Sequence, residues 1–437
     1  MTYPFGYSII KAVPRGSVII ARCALNRRVR RRNRTQENME NIMKLKKILA
    51  AVMSAVCCAA MLAGCSGKTP ESAGDAVSSD AVTGDTQGTS SVNDTIDTEL
   101  TPLEFTSDIR VGWSLGNTLD ATGGVNLTSE TSWGNPKVTE ELILAVKDEG
   151  FNAVRIPTTW GNHMDENYNI DAEWMARVTE IVNYAYNAGL YVILNMHHED
   201  WNYPYEDNFE KASEIMTTAW TQIAENFAGY SEKLIFEGMN EPRWVGTDQE
   251  WSGGNDEGRE VVNKLDQVFV DTIRATGGNN AQRFLMVCPY AANSGESAMS
   301  ALVLPNDPAN RLIVSVHAYI PYSFALQIGG SGNWRADRQN CVRDIDTLAE
   351  ALNRLFISKG TAVIIGECGA MNKDNEAARA DWAEYYFSTF SKIGVPCFLW
   401  DNGSFRGGET FGLINRYTNE WQYPDLMAAI MKGADEE

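Results

Sequence analysis

The sequence predicts an α/β protein whose body is a (β/α)8 TIM barrel. Between residue 108 and about residue 432, short apolar runs typical of buried parallel strands alternate with stretches of helical periodicity. A unit of one strand and one helix recurs about eight times in this length. A doubly wound open sheet is the structural alternative. We favour the barrel because polar residues end nearly every apolar run, as a ring of loops around one mouth requires.

The individual elements follow from the two patterns. Several helical stretches are followed by a glycine, as at Gly150, Gly189 and Gly277, which fits helix C-caps. The expected strands are 111–115, 153–156, 191–196, 234–239, 284–289, 312–317, 362–366 and 396–400. The expected helices are 139–149, 171–188, 214–227, 256–276, 337–358 and 379–393.

The first hundred residues divide into three segments by composition. Residues 1–42, with an arginine cluster, look like sequence upstream of a true start at Met43. Residues 43–65 resemble a bacterial lipoprotein signal peptide: a basic start, an apolar stretch too short for a membrane span, and Leu-Ala-Gly before a lipidated Cys65. Residues 66–100 have almost no bulky apolar side chains, so we expect a disordered linker before a barrel domain at 101–437.

The charge distribution excludes some partners. The chain carries a net charge of −20, but residues 1–65 hold 12 Lys and Arg against 2 Asp and Glu. The remainder is therefore far more acidic than the total suggests, and it would be repelled by nucleic acid and by anionic lipid. A neutral polymer would be indifferent to this charge. We expect no nucleic-acid partner, contact with a membrane only through the lipid anchor, and a monomer.

The cysteines do not form a recognisable framework. Cys288, Cys368 and Cys397 lie in or beside expected strands, and Cys341 lies in a helical stretch. No disulfide or CxxC spacing links them. We expect free thiols, although an exported chain would permit a bridge.

Two glutamates stand at the ends of apolar runs. Glu241 follows the run that begins at Leu234, and Glu367 ends the run that begins at Ala362. A carboxylate in that position contributes nothing to core packing, but it lies where barrels of this kind place their active sites. A pair of such carboxylates is what acid-assisted cleavage of a glycosidic bond needs. If Glu241 is the general acid, we expect its surroundings to raise its pKa.

Other polar and aromatic residues end neighbouring strands. A fixed positive charge on Arg155 would hold a carboxylate ionised. Tyr319 could donate its hydroxyl to a carboxylate, and Trp400 could form the floor under a sugar ring. Adjacent side chains on a strand point to opposite faces, so we expect His197 and His198 to bind sugar and not metal. The full set of expected binding residues is Arg155, His197, His198, Asn240, His317, Tyr319 and Trp400.

The ordered motifs resemble glycoside hydrolase family 5, a family of retaining (β/α)8 hydrolases, and most closely its subfamily 4 of endoglucanases, xyloglucanases and mixed-linkage glucanases. They are GWSLGNTLD at 112–120, WGNP at 133–136, VRIP at 154–157, NMHHE at 195–199, MNEP at 239–242, VHAY at 316–319, IGE at 365–367 and WDNG at 400–403. The resemblance implies that Glu241 is the acid/base and Glu367 the nucleophile. It implies that the seven binding residues line the cleavage subsite, with His198 the least certain, and that no cofactor or metal is required.

These observations predict an exported, bacterial, cell-surface or secreted retaining endo-β-1,4-glucanase. Xyloglucan, mixed-linkage glucan, xylan and mannan remain alternative substrates for the same site. A lipid-anchored protein that binds oligosaccharide without cutting it is the remote alternative. Such a protein would have no need of both glutamates.

Overall fold

The computed structural model describes residues 92–436, and its centre is a closed barrel of eight parallel strands in chain order. This confirms the predicted fold class. Two strands match their expected bounds, and the other six differ by at most two residues at an end. The strands are β1 (Gly112–Leu115), β2 (Ala153–Ile156), β3 (Tyr191–Asn195), β4 (Leu234–Glu237), β5 (Leu285–Val287), β6 (Leu312–His317), β7 (Ala362–Cys368) and β8 (Cys397–Asp401).

Helices surround the barrel, and several begin at side-chain caps. The side chains of Thr139, Asp171 and Asn255 accept backbone N–H groups of the first turns that follow them. One expected helix begins five residues earlier than predicted, and the helix after β8 was not predicted. The long helices are Glu140–Glu149, Ala172–Asn187, Phe209–Asn226, Asp256–Ala275, Gln339–Leu355, Glu376–Ser391 and Pro424–Ala434; Pro102–Ser107, Glu296–Met299 and Tyr322–Ala325 are short.

Apolar side chains fill the lower barrel. One cluster takes inward-facing residues from seven strands, among them Ile193, Ile235 and Phe398. Phe105 of the helix Pro102–Ser107 closes this layer from below by stacking on Phe284, with ring centroids 4.0 Å apart. Because the bottom is sealed in this way, polar side chains can enter the barrel only from the opposite end.

The segment 92–100 differs from its prediction as linker. The backbone N–H of Asp94 donates to the carbonyl of Gly229 at 2.8 Å, and Arg311 donates to the carbonyls of Asp97 and Leu100. These residues therefore pack on the barrel, because backbone hydrogen bonds hold a segment that has few apolar side chains. The predicted leader 1–42, the signal peptide 43–65 with Cys65, and linker residues 66–91 lie outside the described residues.

Two further observations concern the described part of the chain. Cys288, Cys341, Cys368 and Cys397 are free thiols there, as expected. No helix between residues 92 and 436 is long and apolar enough to cross a membrane.

Candidate active site

Glu241 and Glu367 meet at the open end of the barrel. Glu367 lies near the end of β7, and Glu241 lies four residues beyond the end of β4. One carboxylate oxygen of each residue lies within 4.8 Å of the other. His317 sits between them, with its Nδ1 atom 2.8 Å from Oε1 of Glu241 and 3.6 Å from Oε2 of Glu367.

A β-bulge aims Glu367 into the barrel. Val316 of β6 pairs with Ile365 of β7, but the next residue, His317, pairs with Glu367. Gly366 is the extra residue, and a side chain there would meet Ser315 because a Cβ atom would lie 2.8 Å from its hydroxyl oxygen. A bulge of this kind re-aims the side chains that follow it. This bulge could not be predicted from local strand patterns.

Arg155 connects the nucleophile candidate to the rest of the site. Its guanidinium is fully buried and donates three hydrogen bonds. Nη1 donates to Oε1 of Glu367 at 2.7 Å, and Nε donates to Oε2 of Glu237 at 2.8 Å. The third runs from Nη2 to Oδ1 of Asn240 at 2.6 Å. Burial opposes its charge, but the two carboxylates raise the pKa of Arg155 above its ordinary value. The expected ion pair with a carboxylate is therefore present.

The expected rise in the pKa of Glu241 is not found. Burial opposes its ionisation, but the hydrogen bond and charge of His317, together with the charge of Arg243, hold the pKa of Glu241 below its ordinary value. Burial likewise opposes the charge of His317, yet the charge of Glu367 and the hydrogen bond to Glu241 raise its pKa. These two opposite shifts share one cause, the hydrogen bond of 2.8 Å between Nδ1 of His317 and Oε1 of Glu241.

Tyr319 and Trp400 lie beside Glu367. The hydroxyl of Tyr319 donates to Oε2 of Glu367 at 2.8 Å. Burial and the neighbouring charge of Glu367 raise the pKa of Tyr319 well above its ordinary value, so the hydroxyl keeps its proton. Trp400 lies almost parallel to the ring of His197, with centroids 5.6 Å apart.

The two adjacent histidines lie closer together than predicted. Both follow the end of β3, so strand alternation does not separate them, and their ring centroids are 4.5 Å apart. Potential ligand atoms of Asp120, His197 and His198 lie within 4.8 Å of one another. These three could approach a cation, as could Glu241, His317 and Glu367. Burial and the charges of His198 and Arg155 lower the pKa of His197, so its imidazole is neutral.

Several functional residues were missed from the sequence. Glu237, Asn195 and Ser315 form a buried polar layer that Arg155 links to Glu367. Glu237 could have been found from the sequence, because it is a charged residue within an apolar strand. It stands two residues after Ile235, so both side chains point to the same, inward face of that strand. Arg243 was also missed; its Nη1 atom lies 3.6 Å from Oε2 of Glu241.

The site opens into a cleft of about 430 Å³. Glu241 and Arg243 line one part of it, and His197, His198 and Trp133 line another. The Trp133 side chain is 41% exposed, and its ring centroid lies 5.5 Å from that of His198. An open cleft with an exposed indole suits the flat faces of sugar rings.

A (β/α)8 barrel with two juxtaposed glutamates at its mouth is the arrangement expected of a retaining glycoside hydrolase. Residues 119–406 match the model of cellulase, glycosyl hydrolase family 5. The chain belongs to this family, as its motifs indicated.

Similar proteins agree with this assignment. Endoglucanase B of Ruminococcus albus is 44% identical over 410 residues, covering 90% of this chain and 98% of that protein. Endoglucanase B of Neocallimastix patriciarum is 49% identical over 344 residues, covering 76% and 72%. A solved GH5-4 broad specificity endoglucanase from Ruminococcus champanellensis with bound cellotriose is 45% identical, with a TM-score of 0.74 and coverage of 76% and 99%.

Proposed function

We propose that this glycoside hydrolase is an endo-β-1,4-glucanase that cleaves internal bonds of cellulose-like β-glucans by double displacement with net retention. The observation that carries the proposal is the pair Glu241 and Glu367, with carboxylate oxygens within 4.8 Å at the mouth of the barrel. Retaining enzymes hold their carboxyl groups about 5–5.5 Å apart, whereas inverting enzymes leave room for a water molecule at about 6.5–9.5 Å.

In the first step, Glu367 attacks the anomeric carbon and forms a glycosyl ester. The bond from that carbon to the leaving oxygen breaks, and Glu241 gives this oxygen its proton. In the second step, Glu241 takes a proton from water, which attacks the same carbon and releases Glu367. The two carboxylates and one water molecule account for every proton transferred and every bond formed in this sequence, so it calls for no metal or cofactor.

The neighbouring residues have defined roles in this proposal. Arg155 and Tyr319 hold the two oxygens of Glu367 in place for attack. Arg155 also holds Oδ1 of Asn240, which leaves the amide N–H2 group of Asn240 to donate to a sugar hydroxyl. We assign sugar contacts in the cleavage subsite to His197, His198, His317 and Trp400 as well.

The anomeric outcome tests the mechanism. Proton NMR during hydrolysis of barley β-glucan should show the β-anomer of the new reducing end first, with the α-anomer appearing later by mutarotation. Glu241→Gln and Glu367→Gln should each abolish reducing-sugar release, whereas Glu206→Gln, at an exposed position, serves as the control. Initial formation of the α-anomer would contradict double displacement, and absence of any cleavage by the wild type would favour an oligosaccharide-binding protein.

The substrate range is a second question for the same site. The broad specificity of the Ruminococcus champanellensis enzyme favours activity on several β-glucans. Initial rates on carboxymethylcellulose, xyloglucan, barley β-glucan, xylan and mannan should rank the glucans first. A higher rate on xylan or mannan would reassign the substrate class while leaving the two glutamates in their roles.

We also propose that the enzyme is an exported bacterial lipoprotein that acts as a monomer. The support is Leu62-Ala63-Gly64 before Cys65, after a basic start and an apolar stretch. Cys65→Ser should move the enzyme from the membrane to the soluble fraction without changing its specific activity. Equal partitioning of the two forms would contradict the anchor, and light scattering of the purified enzyme would test the monomer.

A further inference from the structure

A third carboxylate lies below the catalytic pair. Glu237 is the last residue of β4, faces the barrel interior and has no exposed surface. It accepts hydrogen bonds from Nε of Arg155 at 2.8 Å, Nδ2 of Asn195 at 3.0 Å and the hydroxyl of Ser315 at 2.7 Å. Burying a carboxylate costs free energy unless it is paired and hydrogen-bonded. The charge of Arg155 and the two further donors offset that cost for Glu237.

Two branches lead from Glu237 to the catalytic residues. One runs through Arg155, whose other nitrogens bind Glu367 and Asn240. The other runs through Asn195, whose Nδ2 atom lies 3.1 Å from Nδ1 of His197. Glu237 is therefore linked through Arg155 to Glu367 and through Asn195 to His197, although its own side chain has no exposed surface.

Its charge matters as well as its position. Arg155 carries one positive charge and faces two buried carboxylates, Glu237 at 2.8 Å and Glu367 at 2.7 Å. When Glu367 attacks the anomeric carbon, it loses its negative charge. An arginine that stabilises the free carboxylate more strongly than the transition state slows this step. Glu237 takes up part of the arginine charge and so limits this ground-state stabilisation.

We propose that Glu237 is a positioning residue that orients Arg155 and Asn195 and shares the charge of Arg155, thereby keeping Glu367 reactive. The inference rests on the proposed function, because it takes Glu367 as the nucleophile. The competing view is that Glu237 and Arg155 form an ion pair that serves the fold alone.

Glu237→Gln separates the two views. Glutamine has the same shape and can present its carbonyl oxygen to Arg155 and its amide to Ser315, so the charge is removed with little displacement. We expect kcat on barley β-glucan to fall at least ~10-fold and KM to change less than about twofold. The acidic limb of the pH profile of kcat/KM should move about one unit lower, because Arg155 then acts on Glu367 alone.

Glu130→Gln is a matched control from the same chain. Glu130 is also fully buried and binds an arginine, Arg177, at 2.7 Å, but it packs outside the barrel mouth. Its variant measures what neutralising a buried carboxylate does to the fold. Urea unfolding of both variants should show losses of similar size, while the acidic limb moves only in Glu237→Gln. Equal pH profiles in the two variants, or an unchanged kcat in Glu237→Gln, would overturn the proposal.

Two further measurements keep the proposal testable if Glu237→Gln does not fold or the wild type does not cut β-glucan. If Glu237→Gln does not fold, Glu237→Asp keeps the charge and shortens the side chain. We expect this variant to have a lower kcat and an acidic limb at the same pH as the wild type. A wild-type kcat would overturn the proposal. The 13C carboxyl resonance of Glu367, assigned by its loss in Glu367→Gln, should titrate at lower pH in Glu237→Gln than in the wild type. This readout needs no turnover, so it tests the charge sharing even if the wild type does not cut β-glucan. Identical titrations would overturn the charge sharing.

Discussion

Replacing Tyr319 with phenylalanine should slow the enzyme without unfolding it. The hydroxyl donates to Oε2 of Glu367 at 2.8 Å, while Arg155 holds the other oxygen at 2.7 Å. The ring packs against Phe411, with centroids 5.5 Å apart, and phenylalanine preserves that contact. The change therefore removes one oxygen atom and one hydrogen bond, and it leaves Oε2 of Glu367 beside Nδ1 of His317, 3.6 Å away, without the tyrosine donor.

The size of the effect follows from that hydrogen bond. A hydrogen bond to a charged group contributes about 1.5–3 kcal/mol. Each ~1.4 kcal/mol lost from transition-state stabilisation reduces a rate about tenfold. Since the hydroxyl orients the attacking carboxylate, we expect kcat to fall roughly 10- to 100-fold.

Steady-state rates on barley β-glucan test this expectation, with Tyr322→Phe as the control. Tyr322 lies three residues further along the chain, at the start of the short helix Tyr322–Ala325, and its side chain is exposed. The control should retain wild-type kcat. A kcat for Tyr319→Phe within twofold of the wild type, in a protein with unchanged thermal unfolding, would mean that the hydroxyl does not position the nucleophile.

Three further changes have expected outcomes. Glu367→Gly should abolish hydrolysis of unactivated substrate, and azide should restore turnover of activated glycosides; wild-type activity would show that another residue attacks. The exposed indole of Trp251 lies against the guanidinium of Arg243, which is itself beside Glu241. If this indole stacks on sugar units away from the cleavage point, Trp251→Ala should lower kcat/KM on long oligosaccharides several-fold but spare small aryl glycosides. Equal losses on both substrates would refute this. Burial raises the pKa of Asp266, so the folded protein keeps a proton that the unfolded chain releases above about pH 4. The free energy of unfolding should therefore fall as pH rises from that value, and Asp266→Asn should lessen the fall in urea titrations at pH 4.5 and pH 7.

The strands were predictable because buried parallel strands have a local signature. The apolar runs at 153–156 and 312–317 match β2 and β6 at both ends. The packing of residues 92–100 was not predictable from the same signature. That segment is held by hydrogen bonds between its backbone and residues far along the chain, such as Gly229 and Arg311.

The candidate site was predictable in its members and less so in its geometry. Each expected residue stands at a strand end, so topology alone brings them to one mouth. The aim of Glu367 depends on the bulge at Gly366, and the bulge depends on pairing between β6 and β7. The buried hydrogen bonds beneath the site depend on Glu237. Its partner Arg155 could not be identified from the sequence, because the two residues meet only when the barrel has closed.

The lowered pKa of Glu241 in the free enzyme can be reconciled with the two tasks that we propose for it. It must be protonated when the leaving group departs, and ionised when water attacks. The negative charge of Glu367, within 4.8 Å, opposes ionisation of Glu241 until Glu367 is consumed as an ester. Once Glu367 is an ester, His317 and Arg243 lower the pKa of Glu241 without an opposing charge from Glu367. Glu241 is then ionised, as a general base must be. A sugar that fills the cleft removes water from Glu241 and favours its protonated form, which suits the acid.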